Sequence, residues 1–185
     1  VDIITTLPSV LYEIVTKDGA VIAVENPANL PPSGEIDEVR EPILSVQILT
    51  PSEYIGAVMR ICTDRRGIYL NTEYLDASRA ILSFEMPLAE VVIDFYDRLK
   101  SVSKGYASFD YDHKEMRAGP LSKLDILING DPLDALSVII HRDKAYVWGR
   151  QLCAKLKELI PRQMFEVIIQ GAVGSKVISR EVVKP

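Results

Sequence analysis

Apolar and polar positions change their period several times along the chain, and each change marks an element. Val10–Val15 and Val21–Val24 read as short strands joined at Lys17-Asp18-Gly19, whose Asp-Gly step suits a tight hairpin; Asp2–Thr6 precedes them as another strand. Residues 25–40 carry Pro27, Pro31, Pro32, Ser33 and Gly34 with almost no apolar periodicity, the pattern of a linker. Ile43–Leu49 then alternates as a strand. Thr50-Pro51-Ser52-Glu53 has the form of a capping box with Thr50 as N-cap, and Ile55, Val58, Met59 and Cys62 follow at helical spacing until Gly67 stops the helix. Ile68–Leu75 and Arg79–Met86 flank Asp76-Ala77-Ser78 as a hairpin, with Ala80, Leu82, Phe84 and Met86 on one face. Pro87 opens a second helix whose stripe is Leu88, Val91, Val92, Phe95 and Leu99, and Tyr106–Asp112 adds a strand. The order βαββαβ predicts an α+β, ferredoxin-like domain over residues 41–118, with two helices on one face of an antiparallel sheet.

A second pattern fills residues 119–185. Leu121–Ile128 and Leu133–Ile140 flank Asn129-Gly130, a strong hairpin signal. Asp143 is placed to cap a long helix lined by Ala145, Trp148, Leu152, Leu156 and Leu159, which Pro161 ends. Phe165–Gln170 and Lys176–Val183 then pair across Gly171–Gly174. This predicts a small ββαββ unit. Residues 1–24 read as the end of a preceding domain. The opening Val1-Asp2-Ile3-Ile4, without an initiator Met, and the stop at Lys184-Pro185 suggest a piece of a longer protein.

Composition narrows the class. The chain is 48% hydrophobic and 25% charged, with no apolar run approaching the roughly 18 residues that span a bilayer and no signal-peptide opening. Cys62 and Cys153 are far apart and fall in helical patterns, so two buried thiols in a reducing cytoplasm are expected, not a disulfide framework. The net charge of −5 conceals an asymmetry. Residues 1–140 hold 12 Lys and Arg against 22 Asp and Glu, a net −10, whereas residues 141–185 hold 9 against 4, a net +5. An acidic body with a basic end is compatible with an ordinary solvated surface or with a nucleic-acid-facing element.

The chemistry-bearing motifs are few. Lys104-Gly105-Tyr106-Ala107-Ser108-Phe109-Asp110-Tyr111 matches most of the RNP1 pattern of RNA-recognition motifs, but Ser108 replaces an aromatic and the segment falls on the fourth strand, not the third. Packing aromatics after a tight turn at Gly105 are the better reading. Gly171-Ala172-Val173-Gly174-Ser175-Lys176 is too short for a phosphate loop and is followed by a strand, so it reads as a hairpin turn. Asp110, Asp112 and His113 make a weak metal pattern, His141 reads as a surface histidine, and neither cysteine has an activating neighbour. No catalytic constellation emerges, and the chain by itself is not expected to be an enzyme.

Several of these segments carry a resemblance. Glu41-Pro42, Thr50-Pro51-Ser52-Glu53-Tyr54-Ile55-Gly56 and Arg65-Arg66-Gly67 are similar to the opening of the C-terminal ferredoxin-like domain (domain V) of elongation factor G relatives. Met86–Lys100, Lys104–Tyr111, Lys123–Gly130 and Leu156–Gln163 resemble the LepA family, also called elongation factor four, and the likeness covers essentially the whole chain. It implies a ribosome-binding translational GTPase that contacts ribosomal RNA and tRNA, with back-translocation and translational fidelity as its proposed role. It also implies GTP and magnesium in an N-terminal domain absent here, with no cofactor in this stretch. A cytoplasmic, monomeric factor is implied, with peripheral association at the inner membrane. The family's strongly basic tail is missing after Pro185.

Two other classes stay open on the residues alone: a free-standing RNA-recognition protein, and a small-molecule-sensing ferredoxin-like domain. For the ribosome-binding reading, candidate RNA-contacting residues are Arg142, Lys144, Arg150, Lys155, Lys157, Arg162, Lys176 and Arg180. On the long helix, Lys144, Lys155 and Arg162 are expected on one border of the apolar arc, and Arg150 with Lys157 on the other. With no phosphate loop, the isolated chain is expected to show no saturable binding in equilibrium dialysis against micromolar GTP; specific saturation would contradict the hairpin reading of Gly171–Lys176.

Overall fold

The computed structural model describes residues 10–185. The strand expected at Asp2–Thr6 lies outside them. Contacts divide the described chain into two units, one made of residues 13–40 with 118–185, the other of residues 10–12 with 41–117.

In the first unit, β1 (Tyr12–Thr16) and β2 (Val21–Val24) are joined through Gly19 at φ 89°, which only glycine adopts readily. The stretch expected to be linker through Arg40 is shorter than that. Two 3₁₀ turns, Pro27–Asn29 and Ser33–Glu35, are followed at Ile36 by β3 (Ile36–Pro51). Ile36–Arg40 pairs with β1, placing Ile14 opposite Val39, both buried. The mixed pattern Ile-Asp-Glu-Val-Arg announces no strand; the partner supplied some two dozen residues earlier makes it one.

The second unit has the sheet order β6-β3-β5-β4, with β4 (Ile68–Tyr74), β5 (Arg79–Pro87) and β6 (Ser108–Gly119). That is the ferredoxin-like arrangement. Ala80, Leu82, Phe84 and Met86 are all fully buried, and the last three pack with Val46, Ile48, Val58, Cys62, Phe95 and Leu99. Helix α1 (Ile55–Asp64) starts later than its capping box suggests. Thr50 and Pro51 stay in the β3–β5 ladder opposite Ala80 and Arg79, and the Ser52 amide donates to the Ser78 carbonyl at 2.8 Å. Thr50 is therefore a buried strand residue and not an N-cap, because the ladder satisfies its backbone before a cap is needed.

Helix α1 ends at an unusual corner. Arg66, not Gly67, takes the left-handed conformation, at φ 59°. Gly67 then donates to the Cys62 carbonyl at 2.7 Å, and a Cβ there would lie 2.5 Å from that oxygen. Arg66 forms a bidentate pair with the buried Glu41 at 2.7 and 3.0 Å and reaches Glu90 at 3.2 Å. Arg65 donates to the carbonyls of Glu90 (2.9 Å) and Ile93 and to the Asp94 carboxylate. This explains a second departure from expectation. The helix predicted to run on from Pro87 is broken into α2 (Leu88–Val91) and α3 (Phe95–Val102), with Asp94 left-handed at φ 43°. The β-branched Val91-Val92-Ile93 run weakens the helix, and Arg65 takes the carbonyls that the break releases.

The rest of the first unit is a sheet of order β11-β10-β7-β8, with β9 also on β7, covered by α4 (Arg142–Leu159). Its strands are β7 (Leu121–Ile128), β8 (Asp131–Pro132), β9 (Val138–His141), β10 (Val167–Val173) and β11 (Lys176–Val183). Asn129 (φ 49°) and Gly130 (φ 85°) form the expected tight turn. The strand expected over Leu133–Ile140 is interrupted, because Pro132 cannot donate to the ladder and a 3₁₀ turn over Asp134–Leu136 follows. The N-cap of α4 is His141, whose Nδ1 accepts from the Asp143 amide at 3.1 Å; Asp143 itself sits in the first turn. The β10–β11 hairpin turns at Gly174-Ser175, with Val173 opposite Lys176; Gly171–Val173, expected in the turn, are strand residues paired with both β11 and β7. Both thiols are buried, and burial pushes Cys62 up to about 12 and raises Cys153.

Two outcomes test this account. Gly67→Ala should lower stability by about 1–3 kcal/mol, since its Cβ meets backbone. Gly56→Ala, where a Cβ meets nothing within 4 Å, should raise it by up to about 1 kcal/mol. Urea midpoints shifting with unchanged slopes would report both. The second outcome concerns Tyr12, whose phenol is pushed up to about 12 by burial and then by Glu41. A raised phenol contributes stability fully below pH about 10, its unfolded value, and loses it as pH rises toward 12. Urea melts of Tyr12→Phe across that window should therefore decline less steeply with pH than those of the parent.

Candidate nucleic-acid interface

Helix α4 lies unusually close to its sheet. Its buried residues are Ala145, Gly149, Leu152, Cys153 and Leu156, whereas Trp148 and Leu159 are only half-buried, so the seam is rotated from the expected arc. At the crossing, a Cβ on Gly149 would meet the Ile178 side chain at 3.2 Å, and one on Gly171 of β10 would meet the Ser179 hydroxyl at 2.6 Å. Cys153 Sγ and Ser179 Oγ are 3.2 Å apart. Glycine on both elements allows this approach. Around it, Ile126, Leu152, Leu156, Val167, Ile169 and Val183 form the core.

Because the seam runs down one side of α4, the next side faces β11, the end strand of the sheet order. A groove of about 770 Å³ opens there, lined by Tyr146, Arg150 and Gln151 from the helix and by Ile178, Arg180 and Glu181 from the strand. The Arg150 guanidinium lies 5.6 Å above the Tyr146 ring. Lys157 pairs with Glu181 at 2.9 Å, which neutralises that carboxylate within the groove wall. A second groove, of about 470 Å³, follows beyond the helix, lined by Lys157, Glu158, Pro161, Arg162, Val182 and Lys184. Arg150, Arg180, Arg162 and Lys184 are all exposed. Each is a group of the kind that pairs with phosphate, and the Tyr146 ring offers an apolar face beside Arg150.

The eight candidate residues do not form one surface. Arg150, Lys157, Arg162 and Arg180 line the two grooves. Arg162 lies past the end of α4 and on the Lys157 side, not in line with Lys144 and Lys155 as expected; helical angles do not extend past Leu159. Lys144 is half-buried and Lys155 is exposed, and neither lines either groove. Arg142 lines a different hollow with Asp37, Glu38, Lys123 and Asp125, where the charges are mixed. Lys176 is exposed at the start of β11. The sequence reading missed Tyr146 and Lys184. Tyr146 shows as a cation-facing ring only once Arg150 is placed one helical turn away.

Elsewhere, Phe109 of the RNP1-like segment packs on Phe95 at 5.1 Å and against the core of the second unit, while Tyr106 is 70% exposed. Among the described residues no group of three His, Cys, Asp or Glu side chains is placed to hold a metal ion. Among them also, no helix is long and apolar enough to cross a membrane.

A ferredoxin-like unit followed by this ββαββ arrangement is the C-terminal architecture of a translation elongation factor. The family described as elongation factor G C-terminus matches residues 38–127, and that described as GTP-binding protein LepA C-terminus matches residues 128–185. Elongation factor 4 of Chlorobium limicola is 56% identical over 183 residues, covering 99% of this chain and 30% of that protein. Elongation factor 4 of Chlorobaculum tepidum is 55% identical over 181 residues, covering 98% of this chain and again 30% of the relative. The chain belongs to the elongation factor 4 (LepA) family and corresponds to its C-terminal region. It spans about 30% of the length of these relatives. Membership displaces the stand-alone RNA-recognition protein and the metabolite sensor as readings of the chain.

Proposed function

We propose that this region docks an elongation factor on the ribosome by holding RNA phosphates along the α4–β11 grooves. One observation carries the reading. In a chain of net charge −5, one groove sets Arg150 with Arg180 and the next sets Arg162 with Lys184, while Glu181 is already paired to Lys157. Ribosomal RNA and tRNA are the polyanions such a factor meets. In the whole protein, GTP binding and hydrolysis with magnesium belong to the part outside this chain. Back-translocation is the step in which a tRNA-contacting C-terminal region has a direct use, since moving tRNA requires holding it. The proposed setting is a monomeric factor in the cytoplasm, with any membrane association peripheral.

Phosphate contacts release counterions, so affinity should fall steeply with salt, by about 0.9 units of log–log slope per contact on duplex. Changing Arg150, Arg162, Arg180 and Lys184 together to Glu should weaken binding of the chain to purified ribosomal particles by more than about tenfold and flatten that slope. Each exposed substitution should move stability by only about ±0.5 kcal/mol, so the melting temperature should stay close to the parent's. Lys155→Glu, outside the grooves, should leave binding near the parent level. Equal binding by the parent and the fourfold variant across a salt series would refute the interface.

A further inference from the structure

The segment joining α4 to β10 exposes two large apolar side chains in succession. Residues 161–166 are exposed throughout, with Met164 at 99% and Phe165 at 59%. Burying either side chain is worth about 1.5–3 kcal/mol, so an isolated fold gains nothing by presenting both to water. The base of the loop is fixed. Ile160 packs against the core on one side, and on the other the Ile168 amide donates to Asn129 Oδ1 at 2.8 Å while the Asn129 amide donates to the Ile168 carbonyl at 2.9 Å. Pro161 restricts the rising strand of the loop, and its carbonyl accepts from Gln163 Nε2 at 3.4 Å. An apolar tip is therefore held on a rigid foot.

The surroundings of that foot select a partner. Pro161 and Arg162 line the second groove with Lys157, Lys184 and Glu158, so the foot of the loop belongs to a wall of three cations and one carboxylate. A partner that offers closely spaced anions and, beside them, flat apolar faces is a nucleic acid with unpaired bases. A lipid surface offers anions too, but two apolar side chains give only marginal insertion. We infer that Phe165 stacks, and Met164 packs, on unpaired bases of the RNA whose phosphates the α4–β11 grooves hold. The inference rests on the proposed RNA interface and adds to it a contact that is not electrostatic.

An RNA stem-loop carrying 2-aminopurine at an unpaired loop position separates the two. The parent chain should bind it in low salt and quench the probe. Met164→Ser with Phe165→Ser should bind about tenfold more weakly and lose the quench, with the salt slope unchanged because no phosphate contact is removed. Arg162→Glu should instead reduce the slope. If the parent does not bind the stem-loop at low salt, the RNA interface fails and the stacking contact falls with it. If the parent binds and the double variant binds and quenches equally, the stacking contact alone is wrong. Loss of binding to phosphatidylglycerol vesicles by the double variant, with stem-loop binding intact, would overturn it in favour of a lipid surface. Both residues are exposed, so matching thermal melts of variant and parent are expected and keep a folding defect from mimicking the result.

Discussion

The closeness of α4 to its sheet is the constraint from which the candidate interface follows. Gly149 and Gly171 leave no side chain between helix and strand, and Cys153 and Ser179 fill the space beside them. Larger residues there would lift the helix and tilt the seam, since protein interiors are packed too tightly to absorb a methyl group freely. With the helix set this low, its Arg150–Lys157 side is brought level with Arg180 and Glu181 of β11. The grooves are thus a by-product of backbone contact, and the cations that line them inherit fixed positions from it.

The ferredoxin-like unit depends on a different device. Arg65 and Arg66 both reach Glu90 from the end of α1, and beyond it one binds the break between α2 and α3 and the other the buried Glu41. Removing one partner of such a pair leaves a buried charge and typically costs about 3–5 kcal/mol, whereas the intact pair adds little net stability. Its effect is on geometry. The left-handed Arg66, the close approach at Gly67 and the left-handed Asp94 all occur within reach of these two guanidinium groups. The resemblance to elongation factor G relatives included Arg65-Arg66-Gly67, and the structure supplies a physical reason for that triplet.

Local patterning decided much of the fold. The alternation in Ala80, Leu82, Phe84 and Met86 named the buried face of β5, and Lys17-Asp18-Gly19 and Asn129-Gly130 are turns, as their residues require; of Gly171–Lys176 only Gly174-Ser175 turn. Each of these signals acts within a few residues, through sterics or a two-residue period, so a single sequence displays it. Family identity was legible for a similar reason: Met86–Lys100 and Leu156–Gln163 are specific strings, whatever their conformation.

Other features depended on partners distant in sequence. Thr50 had the makings of a cap, yet pairing with Ala80 kept it in a strand; Ile36–Arg40 looked like linker until β1 lay beside it. The run after Pro87 had a continuous helical stripe, but Arg65, more than twenty residues earlier, stabilised its interruption. The candidate site shows the same division. The sequence alone determined that the basic charge gathers after residue 140 and that a helix carries much of it. Which cations share a groove was decided by the tertiary structure: Arg162 joined Lys157 and Lys184, Arg180 joined Arg150 and Tyr146, and Arg142, Lys144 and Lys155 were left out of the two grooves. Helical angles relate residues of one helix only, whereas a groove has two walls, and here the second wall is a strand placed by glycine contacts that no periodicity announces.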